Sequence, residues 1–296
     1  MEEQTPKFIS LSPAVTEILY AVGAEPGLAA NTRHCDYPAR AKGKNRIEIW
    51  EQPSAELASK WGANVIFTDQ PIPEAAVRSC GQAGVAVVAN RPATLEEVFQ
   101  GIIKIGDAAG RRQEAERVAE GMRTGLAGIA EASKGIAARP RVYVEEAGKP
   151  PVAAGWWVPR LVEIAGGDSG LVKEGERPRD VSRKRIFEYN PEAMVACWRG
   201  SGGNVELKAI EDRGWHSLNA LAADRLLVMD DALLLRPVPR LVEGTRMLAE
   251  FISRAFRPAT GEDDGGWMYS EGEPADQGRD GETGKNRGPG GEEPRF

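Results

Sequence analysis

The chain has 296 residues, a net charge of -6 and 41% hydrophobic residues, enough length and apolar content for two packed domains. The acidic balance excludes a duplex nucleic-acid binder, which needs a basic face. Three scattered cysteines and two histidines exclude a disulfide framework, a thiolate zinc site and a histidine-rich metal centre.

No run approaches the roughly 20 apolar residues of a membrane span, so no membrane insertion is expected. Glu2 to Pro6 offer no charged n-region leading into an apolar h-region. As written the chain is expected to be cytoplasmic, and extracytoplasmic if the true start lies upstream.

In chain order, Lys7 to Leu11 reads as a strand, and Ser12-Pro13 opens a helix to about Val22, serine as N-cap and proline in the first turn. Leu28 to Asn31 reads as a second strand. Ser54 caps a helix through Trp61, Asn64 to Thr68 is a strand, Pro73 to Gln82 a helix, Val85 to Ala89 a strand and Thr94 to Ala109 a helix. This alternation predicts an α/β unit with a mostly parallel sheet.

Arg111 to Ala137 is the longest periodic stretch, with Ala115, Val118, Met122, Leu126, Ile129, Ala132 and Ile136 at helical steps. Gly121, Gly125 and Gly128 cost it about 1 kcal/mol each relative to alanine and are expected to share a face that admits another backbone closely. The second half repeats the pattern. Arg141 to Glu145, Met194 to Trp198 and Arg225 to Met229 read as strands; Val158 to Ala165, Ser182 to Tyr189 and Pro237 to Phe256 read as helices. Ser54 and Ser182 each start a helix that leads, at matched spacing, into a strand, so the two halves share one design. The expectation is two Rossmann-like α/β lobes with mostly parallel sheets, 1–110 and 139–256, joined by a single long α-helix, 111–138. The remaining 257–296, rich in Gly, Asp and Glu, reads as a disordered C-terminal tail, with Trp267-Met268-Tyr269 as its one apolar cluster.

In open α/β sheets ligands sit beyond the carboxyl ends of the strands. That rule selects Pro13 and Ala14, the loop carrying His34, Asp36 and Tyr37, Trp50, then Asp69 and Gln70. From the second half it selects Trp156 and Trp157, the Arg199 to Asn204 turn, Asp230-Asp231, and Arg236 and Arg240. Aromatic and polar groups from both halves suit a large, flat, partly apolar ligand.

The stretches FISLSPAVTEILYAVGA, CDYP, GWWVPRLVEIAGG and RPVPRLVEG resemble cobalamin-binding members of the periplasmic-type solute-binding group, over Lys7 to Phe256. The resemblance implies a corrinoid held between two lobes, no cofactor of its own and no catalysis. Relatives of the same fold carry ferric siderophores or haem. His34 stands where a relative contacts the corrin through tyrosine, and Trp50 matches an aromatic contact. Where relatives read Gly-His-Trp-Val-Pro-Glu, this chain reads Gly155-Trp156-Trp157-Val158-Pro159-Arg160. Relatives dock on an ABC transporter permease through one glutamate per lobe. Glu56 matches the first, and Lys184 reverses the charge of the second.

His34 is a candidate ligand to the cobalt of a bound corrinoid through its neutral imidazole. One of Trp156 and Trp157 is expected in the core and the other against ligand. Cys35 and His216 read as structural, Glu17 as an ordinary first-helix residue, and Asp230-Asp231 as turn caps. The glycine-rich turn at Gly200 is a candidate phosphate nest. The function expected is a monomeric, non-enzymatic binder of cobalamin or a related corrinoid, in an ABC uptake system or as a cytosolic relative. Ferric siderophore or haem in the same cleft, a nucleotide-using transferase and a sensor are the alternatives.

Overall fold

The computed structural model describes residues 6–48, 52–136 and 139–256; the expectations for Trp50, the tail and Trp267 to Tyr269 lie outside these residues. The first lobe starts with β1 (Phe8–Ser10) and α1 (Pro13–Ala21), followed by β2 (Leu28–Thr32) and β3 (Asn45–Ile47). It continues through α2 (Ala55–Trp61), β4 (Val65–Thr68), α3 (Glu74–Gln82), β5 (Ala86–Ala89) and α4 (Leu95–Ala108). The sheet order is β3-β2-β1-β4-β5, and every pair in it is parallel.

Local chemistry explains the helix starts. The hydroxyls of Ser12, Ser54 and Thr94 accept from the backbone N–H three residues on, meeting donors that the first turn leaves unpaired. Edge strand β3 was not anticipated: two of its three residues, Asn45 and Arg46, are exposed, so no apolar run announces it.

The linking helix, α5 (Arg112–Ala132), is shorter than expected. At 1.5 Å per residue it spans roughly 32 Å. A 3₁₀ turn, Ser133–Gly135, follows it, and Ala132 is exposed while Ile136 is half-buried beyond the helix. The inward stripe is Ala115, Ala119, Met122, Leu126 and Ile129. The expected close approach of another backbone is met at none of the three glycines, and only Gly125 is closely packed, by a side chain. A Cβ on Gly121 or Gly128 would meet nothing within 4 Å, whereas one on Gly125 would lie 2.8 Å from Val242 Cγ1.

The second lobe contains β6 (Val142–Gly148), β7 (Pro151–Ala153), α6 (Val158–Ile164), β8 (Arg179–Asp180) and α7 (Arg183–Tyr189). Then come β9 (Ala193–Ala196), α8 (Leu207–Glu211), α9 (Asn219–Ala222), β10 (Leu226–Val228) and α10 (Leu241–Phe256). Its sheet order is β10-β9-β6-β7-β8. The β10, β9 and β6 ladders are parallel, and β7 and β8 add an antiparallel margin too short to read from the chain. Helix α10 starts four residues later than expected. Arg236 and Val238 each precede a proline, which disfavours the helical conformation, and the resulting turn carries Arg236 and Arg240.

One apolar core runs from Phe8 and Ile18 through Met122 and Leu126 to Val142 and Leu248. The lobes therefore meet through packed side chains along α5 as well as through covalent linkage, and burial on this scale resists their separation.

Candidate ligand-binding cleft

The carboxyl ends of both sheets face a cleft of about 1110 Å³; two other hollows measure about 490 and 600 Å³. Pro13 and Ala14 enter it at the start of α1, and Asp69 and Gln70 at the end of β4. Asp69 is held locally: Ser12 donates to its Oδ2 at 2.7 Å and Gln70 to its Oδ1 at 3.1 Å.

His34, Asp36 and Tyr37 project from the loop after β2 and are exposed. Arg46 on β3 holds that loop from beneath, donating to Asn31 Oδ1 at 2.8 Å, Thr32 O at 2.9 Å and Cys35 O at 3.2 Å. Cys35 is buried, with the Thr16 and Thr32 hydroxyls each 3.1 Å from its sulfur. Burial pushes its thiol up, and those hydroxyls offset part of the rise; the structural reading of Cys35 fits this setting. The His34 imidazole has no hydrogen-bond partner among the described residues, which leaves its ring nitrogens available.

The two tryptophans divide. Trp157 is buried and donates from Nε1 to Leu234 O at 2.9 Å. Trp156 is half-buried, faces the cleft and sits at φ 56. A bulky residue in the left-handed region stores about 1–3 kcal/mol of strain, which its surroundings must offset.

Arg236 and Arg240 line the cleft, yet both are engaged by the opposite lobe. Arg240 donates to both carboxylate oxygens of Glu17, at 2.8 and 2.7 Å, across 223 residues of chain, and lies 3.8 Å over the Tyr37 ring. Arg236 meets Asp36 at 3.3 Å. Glu17 is thus not the ordinary helix residue expected, but the buried anion of an interlobe bridge. Desolvation pushes its carboxyl up from the ordinary value, and the Arg240 fork offsets part of that rise.

At the glycine turn, the Gly202 N–H donates to Asp231 Oδ1 at 3.1 Å, so a carboxylate of the chain takes one of the donors that a phosphate nest would offer. Asp230 caps a turn through Ala232 N, as expected. His216 is exposed rather than structural; its neighbour Trp215 is the buried residue.

Residues 9–233 match the periplasmic binding protein family. The chain belongs to that family. An uncharacterized ABC transporter substrate-binding lipoprotein, YvrC, of Bacillus subtilis (strain 168) is 26% identical over 267 residues, covering 85% of this chain and 81% of the relative. A vitamin B12-binding protein of Photorhabdus laumondii subsp. laumondii is 22% identical over 249 residues, or 82% and 86% of the two chains. The solved periplasmic heme-binding protein RhuT from Roseiflexus sp. RS-1 has a TM-score of 0.71 at 21% identity, covering 86% of this chain and 100% of that one. That last likeness concerns the fold.

Among the cleft residues of this periplasmic binding protein that escaped the sequence reading are Lys42, Asn90, Arg91 and Pro92. The last three directly follow β5, so the strand-end rule applied there would have found them. Lys42 lies in a 3₁₀ turn with no distinguishing signal. Glu56 and Lys184 lie outside the cleft lining, exposed at the starts of α2 and α7. No described helix is long and apolar enough to cross a membrane.

Proposed function

We propose that this binding protein captures a corrinoid, cobalamin or a close relative, between its lobes and performs no chemistry on it. The observation that carries the reading is the cleft itself. It offers about 1110 Å³, with exposed His34 and Tyr37 on one wall and Trp156 on the other. Flat aromatic surface plus a few polar groups suits a macrocycle with amide edges, and a relative named as vitamin B12-binding aligns with most of the chain. In this reading Pro13, Ala14, Asp36, Asp69, Gln70, Trp157, Arg236 and Arg240 complete the wall, and His34 offers a nitrogen to the metal at the ligand's centre. The continuous core along α5 and the Glu17–Arg240 bridge favour small rearrangement on binding.

Haem or a ferric siderophore in the same cleft is the second reading. It is favoured by the fold likeness to a heme-binding protein and by the Tyr37 side chain, an oxygen donor suited to ferric iron. The lipoprotein and transporter names among relatives support an extracytoplasmic protein that hands its ligand to a permease. Glu56 on one lobe and Lys184 on the other would then meet opposite charges on that partner.

Absorbance titration separates these readings. Hydroxocobalamin is expected to bind with a shift in its visible bands, and nucleotides are not expected to bind. Saturable binding of haemin or a ferric hydroxamate with none of hydroxocobalamin would select the second reading. His34→Ala is expected to abolish the shift; a shift that survives removes His34 as a metal ligand without removing the binding site.

A further inference from the structure

The backbone of Trp156 is held on both sides by a single segment. Its N–H donates to Glu176 O at 2.6 Å, and its carbonyl accepts from Gly175 N at 3.0 Å. The Arg177 guanidinium lies 6.0 Å from its ring centroid. Gly155 beside it is pressed so tightly on this segment that a Cβ would lie 2.5 Å from Glu176 O. The segment is braced from within, because Glu176 Oε2 accepts from Lys173 N at 2.9 Å and from Arg179 at 2.6 Å.

The same segment also reaches the other lobe. Glu174 Oε1 accepts from the backbone N–H of Leu95, the first residue of α4, at 2.8 Å across 79 residues. That N–H is one of the donors a helix start leaves free, and a carboxylate there is favoured by the helix dipole. Thr94 already serves the Glu97 N–H, so Glu174 is a second cap supplied from outside the helix. A covalently continuous stretch thus has one end on lobe one and its middle clamped on the strained cleft tryptophan.

We propose that Glu174 is a positioning residue for the cleft: its bond to Leu95 moors the Lys173–Arg179 segment, and that segment fixes the pose of Trp156. The orientation of an aromatic wall in the second lobe then depends on the seating of the first. Moving the lobes apart breaks the bond, unloads the segment and lets Trp156 leave φ 56; seating them restores both. The inference rests on the cleft being the ligand site for its effect on affinity, though not for its effect on Trp156.

The test has two arms. In ligand-free protein labelled with 5-fluorotryptophan, Trp156→Phe assigns one of the signals by its loss. Glu174→Ala is expected to move that signal. Leu95→Pro deletes the donor from the opposite lobe at a helix position that suits proline, after a residue whose φ -118 and ψ 164 suit a following proline. It is expected to move the signal in the same direction, and the double variant no further than either alone. Glu174→Gln keeps an acceptor oxygen and is expected to leave it in place. An unmoved signal in Glu174→Ala, or one that moves in Glu174→Ala but not in Leu95→Pro, overturns the proposal. In the second arm, hydroxocobalamin and haemin are titrated into each variant. Affinity for whichever binds the wild type is expected to fall roughly 5- to 10-fold in the alanine and proline variants, the size of one ordinary lost hydrogen bond, and to recover with glutamine. If neither probe binds the wild type, the cleft reading fails while the fluorine signal still decides the role of Glu174.

Discussion

The two lobes bury different polar chemistry along their central strands. In the first, at the end of β1, a neutral cluster is buried: Thr16 Oγ1 lies 2.9 Å from Ser10 Oγ and 3.1 Å from the Cys35 sulfur, while the buried charge of this lobe, Glu17, finds its partner across the cleft. In the second, at the matching place on β6, lies an ion pair. Glu145 is fully buried, accepts from Tyr143 at 2.9 Å and from Trp198 Nε1 at 2.8 Å, and is gripped by Arg213 at 2.7 and 3.1 Å. A neutral network loses little when one member goes. A desolvated charge left without its partner costs several kcal/mol. The β6 site of the second lobe therefore depends on one arginine of its own, whereas the Ser10–Thr16–Cys35 cluster beneath the exposed His34 loop tolerates change.

The largest expected effect breaks this contrast directly. Arg213→Met is expected to cost about 3–5 kcal/mol, read as a lowered urea midpoint. Thr16→Val in the first lobe is expected to cost about 1 kcal/mol, near the value of one hydrogen bond. Equal costs would erase the distinction.

Next comes the bridge between the walls. Arg240→Met leaves the buried Glu17 carboxylate without its fork and is expected to cost about 2–4 kcal/mol at neutral pH. The carboxyl of Glu17 is raised in the folded protein. Its contribution to stability is therefore fully present below its unfolded pKa and is lost as pH rises through the folded one. Without Arg240 the folded value rises further, since the offsetting charge is gone. The deficit of Arg240→Met relative to wild type is thus expected to shrink as pH falls from 7 toward about 5, measured by denaturant unfolding at each pH. A deficit that grows on acidification would contradict the assignment of Glu17 as the strained partner.

The smallest effect concerns the helix on which both lobes pack. Gly128→Ala has open space to fill and is expected to stabilise by about 0.5–1 kcal/mol. Gly125→Ala drives a methyl against Val242 and is expected to destabilise by about 1–3 kcal/mol. Thermal melting of the pair tests whether α5 grips the second lobe at that one contact.

Much of the architecture was legible because its causes are local. Ser12, Ser54 and Thr94 announce helix starts through bonds spanning three residues, and short apolar runs mark the central strands. Strand-end reasoning also brought Pro13, His34, Asp36, Tyr37, Asp69, Gln70 and both tryptophans to one cleft. It could not separate Trp156 from Trp157, because two adjacent aromatic residues before a helix share every local signal. What parts them is the distant carbonyl of Leu234, which takes the Trp157 N–H.

By itself the order of residues determined the alternation of strands and helices and the capped helix starts, which are set by interactions within a few residues, and the repeat of that pattern in each half announced the two lobes. Tertiary structure alone decided that Glu17 faces Arg240, that Asp231 accepts from the glycine turn, and that Glu174 reaches the start of α4 in the other lobe. Those partners meet across 29 to 223 residues of chain, and whether a buried charge is a bridge or a liability depends on which group the fold sets against it.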